Sequence, residues 1–305
     1  MTEIDLAAQA RITRHIAETI GARTAELSAA VALLDEGATV PFIARYRKEV
    51  TGGLDDTQLR NLQELLIYGR ELEERRAAVI ASVEEQGKMT EELRQAFEAA
   101  DTKQRLEDLY LPYKPKRKTR AQAAVAAGLE PLADKLWKNP GLDPQAEAQA
   151  FVSADKGVAD TKAALDGARD ILAERFAENA DMLEMLRAWL WKHAFIVSSV
   201  DEAKKATPEA ANFRDYFDYS EALNEVASHR ALALFRGRQE GVLTLKMLLT
   251  EEEEALPVHP CQKLIADFLG WHDEGRAADQ WIASVIRWTW RVKCLTTLET
   301  ELFSR

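Results

Sequence analysis

The chain has 305 residues, enough for two or three domains, and its composition is 47% hydrophobic and 30% charged. This balance is typical of folded globular proteins and argues against a disordered chain. With 51 acidic against 40 basic residues, the formal charge is −11. Such acidity argues against a protein that coats nucleic acid over its whole surface, because phosphate affinity comes from lysine and arginine.

Helical periodicity dominates from the N-terminus onward. Isoleucines recur every fourth residue between positions 12 and 20, which predicts one face of a helix. A second apolar stripe over 27–34 predicts another helix. Thr39 then begins a short third helix with the sequence VPFIARYRKE, with proline in its first turn. Together these helices form the first predicted domain, residues 1–54.

A better-defined group of helices follows. An aspartate pair begins a long helix that ends near Gly87, and Thr90 begins the next helix. Asp101, with Gln104 three residues later, predicts a capping box for a third helix. One long and two short helices joined by tight turns indicate a helix-turn-helix-like module. The second predicted domain, residues 55–128, contains this module and a basic loop.

The third predicted domain, residues 129–305, is also mainly helical. Its main helices are predicted over four stretches: 160–179, 181–196, 260–269 and 277–305. The segment GVLTLKMLL, at 241–249, is the one predicted strand. Five large side chains are predicted to share one face of the last helix: Trp281, Val285, Trp288, Val292 and Leu295. Since this helix has no capping signal at its end, we expect the chain to stop before a further domain.

The predicted fold is therefore mostly α. It is a multi-helical scaffold with an inserted helix-turn-helix-like module and a small strand region near 241–249. The N-terminal segment carries Glu3 and Asp5 and has no apolar stretch of the kind found in signal peptides. No apolar run approaches the ~18 residues of a membrane helix. Two cysteines without paired spacing fit a reducing compartment, so we expect a cytoplasmic protein without membrane contact.

No motif for catalysis, cofactor binding or metal binding is found. The sequence lacks a glycine-rich phosphate loop, a C-x-x-C pair and an H-E-x-x-H motif. His259 and Cys261 offer two potential metal ligands, whereas a zinc site needs three or four. The run Glu251–Glu254 fits a solvated turn or the start of a helix. We therefore expect no enzymatic activity, no cofactor, no metal and no small-molecule substrate.

Positive charge is concentrated in residues 114–120, which we call the basic segment. Five of its seven residues are basic: Lys114, Lys116, Arg117, Lys118 and Arg120. No acidic residue occurs between positions 109 and 129. Pro115 excludes a helix interior there, so the segment begins on a loop. One interpretation is contact with nucleic-acid phosphates, which positions a protein without reading sequence. The other is a solvated loop that pairs with the acids of residues 51–100.

Two further groups of basic residues are present. The first lies in the sequence RYRKE and consists of Arg45, Arg47 and Lys48. We interpret it as a solvated helix end, where cations suit the negative pole of the helix dipole. The second lies in SHRALALFRGR and consists of His229, Arg230, Arg236 and Arg238. We interpret this group as supporting packing between segments.

Longer stretches of the sequence carry a family resemblance. They are LLDEGATVPFIARYRKEVTGGLDDTQLRNL, DTKQRLEDLYLPYKPKRKTRAQ, SHRALALFRGRQEGVL and GRAADQWIASVIRWTWRVKCLTTLETELF. Read together, they resemble the Tex family of bacterial transcription accessory proteins, which is related to a eukaryotic elongation factor and histone chaperone. The resemblance implies a multidomain cytoplasmic protein whose helical N-terminal half contains a helix-turn-helix module. It also implies that an RNase H-like domain, helix-hairpin-helix motifs and an OB-fold RNA-binding domain follow this half.

The expected function is therefore that of a non-enzymatic N-terminal fragment of a transcription accessory protein. We expect it to contact nucleic acid, either RNA or DNA, weakly and without sequence specificity through the basic segment. The alternative is a protein-interaction scaffold that docks transcription machinery or the missing C-terminal domains. The net charge of −11 and the uncapped terminal helix favour this alternative.

Overall fold

The computed structural model describes residues 6–115 and 118–305. These residues form seventeen α-helices and one three-stranded sheet, which confirms the mostly helical fold with a small strand region. The chain divides into two compact units, Met1–Tyr113 and Lys114–Arg305. The division into three domains predicted from the sequence stays a prediction.

Seven α-helices form the first unit. They are α1 (Leu6–Ile20), α2 (Thr24–Asp35), α3 (Val40–Tyr46), α4 (Lys48–Thr51), α5 (Asp56–Glu85), α6 (Glu91–Ala99) and α7 (Lys103–Tyr110). A short 3-10 turn, Leu111–Tyr113, follows α7. The predicted third helix is divided in two, because Arg47 leaves the helical conformation with φ −130° and ψ 24°.

Side-chain caps set the start of α5 and of α6 as the sequence predicts. Asp55 Oδ1 accepts a hydrogen bond from the Gln58 amide at 2.8 Å, and Gln58 Oε1 accepts one from the Asp55 amide at 3.1 Å. At α6, Thr90 Oγ1 accepts a hydrogen bond from the Leu93 amide at 3.1 Å. Each contact satisfies an amide that has no partner inside its helix.

The capping box predicted at α7 is wrong. Thr102, not Asp101, is the cap, and its Oγ1 accepts a hydrogen bond from the Arg105 amide at 3.1 Å. Gln104 instead donates from Nε2 to Asp108 Oδ1 at 3.0 Å, one turn further along the helix. Asp101 and Thr102 are adjacent, and both residue types are good caps. Thr102 has the extended backbone conformation of a capping residue, so its hydroxyl, and not the Asp101 carboxylate, bonds the amide.

The long helix α5 contributes to two hydrophobic cores. Its first half packs Leu59, Leu62 and Leu66 into a core with buried residues of α1, α2 and α3. Its second half packs into another core, whose buried residues are Leu72, Val79, Val83, Phe97, Ala100, Leu106 and Tyr110. The helices of the predicted helix-turn-helix-like module are thus present, and their identity as that motif stays a prediction.

Ten α-helices form most of the second unit. They are α8 (Arg120–Ala126), α9 (Glu130–Lys138), α10 (Pro144–Gln149), α11 (Thr161–Ala177), α12 (Ala180–His193), α13 (Ser228–Gln239), α14 (Glu251–Glu254), α15 (Pro260–Leu269), α16 (Asp279–Trp288) and α17 (Leu295–Leu302). Helix α11 contacts α8, α9, α10, α12 and α16. Both Leu172 and Ala173 of α11 are fully buried, so this helix lies within the core of the unit.

The sheet contains one predicted strand and two that the sequence analysis missed. The strands are β1 (Phe195–Val200), β2 (Asp218–Ala222) and β3 (Leu243–Leu248), arranged in the antiparallel order β2–β1–β3. The strand predicted at 241–249 corresponds to β3. The helix predicted over 181–196 is too long, because α12 ends at His193 and β1 begins at Phe195. As the central strand, β1 pairs along both edges, with Ile196 opposite Glu221 and Met247.

The predicted terminal helix is interrupted. Between α16 and α17 the residues Thr289–Cys294 form a π-helix, whose wider turn rotates the following residues about the helix axis. Trp290, Cys294 and Leu298 are consequently buried, whereas Val292 is 49% exposed. The apolar face predicted from Trp281 to Leu295 is therefore correct only up to the start of the π-helix.

Candidate nucleic-acid interface

The basic segment lies at the start of the second unit. Lys114, Lys118 and Arg120 are exposed, and Arg120 is the first residue of α8. The other two predicted contact residues, Lys116 and Arg117, lie outside the described residues. The described members of the segment thus present three cations to solvent.

A capped helix fixes the C-terminal end of this segment. Thr119 Oγ1 accepts a hydrogen bond from the Gln122 amide at 3.1 Å, and Gln122 Oε1 accepts one from the Thr119 amide at 3.1 Å. The Thr119 hydroxyl also donates to Glu174 Oε2 of α11 at 3.4 Å. This capping box and its link to α11 position Lys118 and Arg120 on either side of an anchored residue.

The positions of these two cations are not explained by helix stability. Lys118 and Arg120 flank the N-terminal cap of α8, where the positive end of the helix dipole disfavours cations. Neither side chain has a hydrogen-bond or ion-pair partner within the part of the chain that the structure describes. Unpaired cations at an unfavourable place are suited to an anion from outside the molecule.

The acids of residues 51–100 are in part already paired inside the first unit. The pairs are Asp56 with Arg60, Glu71 with Lys103, Glu73 with Arg11 and Arg76, and Glu84 with Arg94. Within the Glu73 group, hydrogen bonds from Arg11 and Arg76 lower the pKa of the Glu73 carboxyl despite its burial. These acids therefore do not depend on the basic segment for a counter-charge.

The second basic group lies at the junction of α3 and α4. Five exposed residues lie here, and together we call them the α3 surface: Phe42, Arg45, Tyr46, Arg47 and Lys48. Arg45 and Arg47 lie at the C-terminal end of α3, where the helix dipole favours cations, in agreement with the interpretation from the sequence. Lys48, however, begins α4, where the helix dipole does not favour it. The exposed aromatic pair was not predicted from the sequence, although Phe42 and Tyr46 are four residues apart, the spacing of neighbours on one helix face.

The third basic group supports packing at one position. Arg230 of α13 donates from Nε to Glu221 Oε2 of β2 at 2.9 Å, and this hydrogen bond lowers the pKa of the Glu221 carboxyl. Arg236 pairs with Glu240 at 2.8 Å within the same helix, and Arg238 is exposed. The packing interpretation therefore applies to Arg230 alone among the arginines.

His259 has a structural role at the start of α15. Its Nδ1 accepts a hydrogen bond from the Cys261 amide at 3.1 Å, and its Nε2 lies 3.4 Å from Glu254 Oε1. Cys261 and Cys294 are both free and buried, and burial raises the pKa of each thiol, to about 12 for Cys294. Across residues 6–115 and 118–305, no group of three or more His, Cys, Asp or Glu is arranged to hold a metal ion.

A surface hollow of about 360 Å³ lies beside His259. Its lining is mainly apolar and consists of Leu190, Met247, Leu248, Leu249, Trp290 and Leu295, with Glu254, His259 and Arg291 as polar members. The loop between Glu254 and His259 exposes Leu256 and Val258, which are 50% and 57% accessible. An apolar hollow next to an exposed apolar loop is a feature of protein-binding surfaces.

In the described residues, no helix has the length and apolar character needed to cross a membrane.

Comparison with known proteins identifies the relatives of this chain. Residues 139–305 match the family model of the Tex central region, and residues 10–84 match that of the Tex-like protein N-terminal domain. Protein YhgF of Escherichia coli is 58% identical over 290 residues, covering 95% of this chain. The transcriptional accessory protein Tex of Neisseria gonorrhoeae is 48% identical over 295 residues, covering 96% of it.

A more distant relative occurs in humans. The S1 RNA-binding domain-containing protein 1 is 32% identical over 227 residues, covering 72% of this chain and 22% of that protein. The two bacterial relatives are also much longer than this chain, which spans 37% of the E. coli protein and 38% of the N. gonorrhoeae protein.

Proposed function

The chain belongs to the Tex family, and on this basis we propose that it is a non-enzymatic part of a transcription accessory protein that contacts nucleic acid through its basic segment. The contact is weak and independent of sequence, and it serves RNA or DNA. This function needs no cofactor and no small-molecule substrate, and it is exercised in the cytoplasm.

The observation that supports this proposal most directly is the combination of Lys118 and Arg120. Both are exposed, both lack a partner among the described residues, and both lie where the dipole of α8 disfavours them. The protein as a whole is acidic, so a polyanion is attracted only to local concentrations of positive charge such as this one. Phosphate contacts of this kind position a protein on a strand, whereas reading sequence requires contacts to base edges.

Salt dependence gives the test a magnitude. If all five cations neutralise one phosphate each, log Kobs against log salt has a slope of about −4.5 on duplex DNA and about −3.5 on a single strand. Because Pro115 restricts how many side chains can face one backbone, we expect a slope of about −2 to −3. The dissociation constant for nucleic acid should be about 10⁻⁴–10⁻⁶ M, as in non-specific association.

The variant Lys116→Glu, Arg117→Glu, Lys118→Glu should abolish binding of duplex DNA in a fluorescence-anisotropy titration at several salt concentrations. A matched control changes three exposed lysines elsewhere in the second unit, Lys156, Lys162 and Lys192, to glutamate. Both variants have the same net charge, so only the position of the change differs. Equal binding by the two variants, or no binding by the wild-type protein at low salt, would reject the proposal.

The hollow beside His259 favours a second candidate function, docking of transcription machinery. Leu256 and Val258 are exposed next to residues that line this hollow, an arrangement that suits an apolar partner segment. Purified RNA polymerase should then be retained by the chain after nuclease treatment, and the variant Leu256→Ser, Val258→Ser should reduce retention. Retention that disappears with nuclease would assign the association to nucleic acid instead.

A further inference from the structure

The α3 surface exposes two aromatic rings side by side. Phe42 is 40% exposed and Tyr46 is 62% exposed, although both side chains belong to a helix whose Val40 and Ile43 are buried. The ring centroids are 5.4 Å apart and the ring planes are tilted by 45°. The guanidinium of Arg47 lies 5.5 Å from the centroid of the Phe42 ring. Phe42 therefore has a cation beside it, and Tyr46 is the more open of the two rings.

Three cations are close to this aromatic pair in the sequence: Arg45, Arg47 and Lys48. The side chains of Arg45 and Lys48 have no hydrogen-bond or ion-pair partner in the described part of the chain. Arg47 donates from Nη1 only to the neighbouring carbonyl oxygen of Tyr46, at 3.3 Å. In a protein with a formal charge of −11, three adjacent cations without a carboxylate partner indicate that the complementary charge comes from another molecule.

A hollow of about 460 Å³ lies next to the aromatic pair. It is lined by Phe42, Arg47 and the connection from α2 to α3, residues 36–39, together with Leu33. One acid, Glu36, also lines it, and a phosphate nearby would be repelled by that carboxylate.

We propose that the α3 surface binds single-stranded nucleic acid, with a base stacked on Tyr46 and the strand's phosphates held by Arg45 and Lys48. Unpaired bases and phosphates together match the two properties of the surface, exposed ring faces and unpaired cations. A duplex buries its base faces in the stack and would meet only the cations. An acidic peptide would likewise pair with the cations and leave the open ring of Tyr46 without a role.

This site goes beyond the proposed function because it lies in the other compact unit and distinguishes single strands from duplexes. The basic segment contributes charge, whereas the α3 surface contributes charge and stacking. Its test is therefore a comparison between ring removal and charge removal, on two forms of the same probe.

The probe is a fluorescein-labelled oligothymidylate of about 12 nucleotides, a length within the range that stacking platforms cover, beside its duplex with oligoadenylate. Tyr46→Ala should weaken binding of the single strand about 5- to 150-fold, the usual effect of removing one stacked base contact. Tyr46→Phe, which keeps the ring, should bind like the wild type. Arg45→Gln with Lys48→Gln should reduce the single-strand salt slope by about 1.4, since each phosphate contact contributes about 0.7.

Two further variants make the assignment specific to this surface. Glu36→Gln should tighten binding of the single strand, because it removes the one acid that lines the hollow. Combining Tyr46→Ala with the glutamate variant of the basic segment should give additive losses if the two sites act independently. A Tyr46→Ala effect that persists in the basic-segment variant supports this site, whether or not the basic segment binds.

The proposal is overturned if Tyr46→Ala binds the single strand as well as Tyr46→Phe does, with both variants giving the same thermal melt by circular dichroism. It is also overturned if wild-type protein binds single strand and duplex equally and Tyr46→Ala weakens both alike. Displacement of the oligothymidylate by poly-glutamate at equal charge concentration would assign the surface to an acidic protein partner, which contradicts the stacking contact.

Discussion

Arg187 of α12 and Glu301 of α17 form a hydrogen-bonded ion pair across 114 residues of chain. Arg187 Nε and Nη2 lie 2.9 and 2.8 Å from Glu301 Oε2, and the Arg187 side chain is only 4% exposed. The pair holds the last helix against the middle of the second unit. A charge so deeply buried is tolerated only while its partner remains in place.

Glu301→Gln should therefore destabilise the second unit by about 3 kcal/mol, since it leaves the buried guanidinium of Arg187 without this carboxylate. Urea unfolding followed by circular dichroism measures the change in the free energy of unfolding. The matched control is Glu240→Gln, which removes the exposed pair with Arg236 of α13 and should cost less than about 0.5 kcal/mol. Similar losses of stability in the two variants would show that the buried pair between α12 and α17 contributes no more than an exposed pair.

The correct cap of α7 gives a second prediction. Because the Thr102 hydroxyl accepts the hydrogen bond from the Arg105 amide, Thr102→Ala should destabilise the first unit by about 1 kcal/mol. Asp101→Ala, one residue away, should change the free energy of unfolding by less than about 0.5 kcal/mol. Chemical denaturation of the two variants decides between the caps, and a larger loss for Asp101→Ala would restore the capping box predicted from sequence.

Gly237 marks a close approach of α13 to β3. A Cβ atom added there would lie 2.5 Å from Leu243 Cδ1 and 3.1 Å from Phe213 Cδ1, and both side chains are buried. Gly237→Ala should therefore destabilise the second unit by about 1–2 kcal/mol, even though alanine is the better helix former. Gly141→Ala is the control, since its Cβ would meet only Asn139 Oδ1 at 3.3 Å. A more stable Gly237→Ala variant would contradict this packing.

Asp279, at the start of α16, is a buried carboxylate surrounded by donors. Its oxygens accept hydrogen bonds from Trp271 Nε1 at 3.1 Å, from the Glu274 amide at 2.9 Å and from the Arg276 amide at 2.9 Å. The Arg276 guanidinium adds further hydrogen bonds at 3.0–3.2 Å. The hydrogen bonds from Arg276, foremost among these contacts, lower the pKa of the Asp279 carboxyl in the folded protein.

This pKa shift predicts a pH-dependent effect of Asp279→Asn. A carboxyl whose folded-state pKa is lowered contributes stability that is complete above its unfolded pKa of about 3.9 and is lost as the pH falls through the folded value. Asp279→Asn should cost about 2 kcal/mol at pH 7. Between pH 5 and pH 3 the difference from the wild type should shrink by about 1 kcal/mol, measured by urea denaturation. A difference that grows on acidification would contradict the assigned direction.

The sequence by itself determined the features that depend on near neighbours in the chain. Helix starts at Asp55, Thr90 and Thr119 follow from side chains that bond amides three residues away. The charge of the basic segment is likewise a property of consecutive residues. It needs no tertiary contact to be recognised. Only the exposure of Lys118 and Arg120, and the lack of partners for these two side chains among the described residues, had to come from the structure.

Tertiary structure decided the features that depend on distant partners. From the local sequence alone, the residues of β1 could continue helix α12. Phe195 instead pairs with Leu248, 53 positions away, and with Ala222. Hydrogen bonds along both edges therefore favour a strand. The exposure of Phe42 and Tyr46 could not be predicted from the local sequence either. Apolar spacing predicts that a helix face is buried, but it does not show which rings the neighbouring helices leave exposed. Side-chain periodicity is set by the geometry of one helix, whereas burial is set by what packs against it, and only the folded chain supplies that second surface.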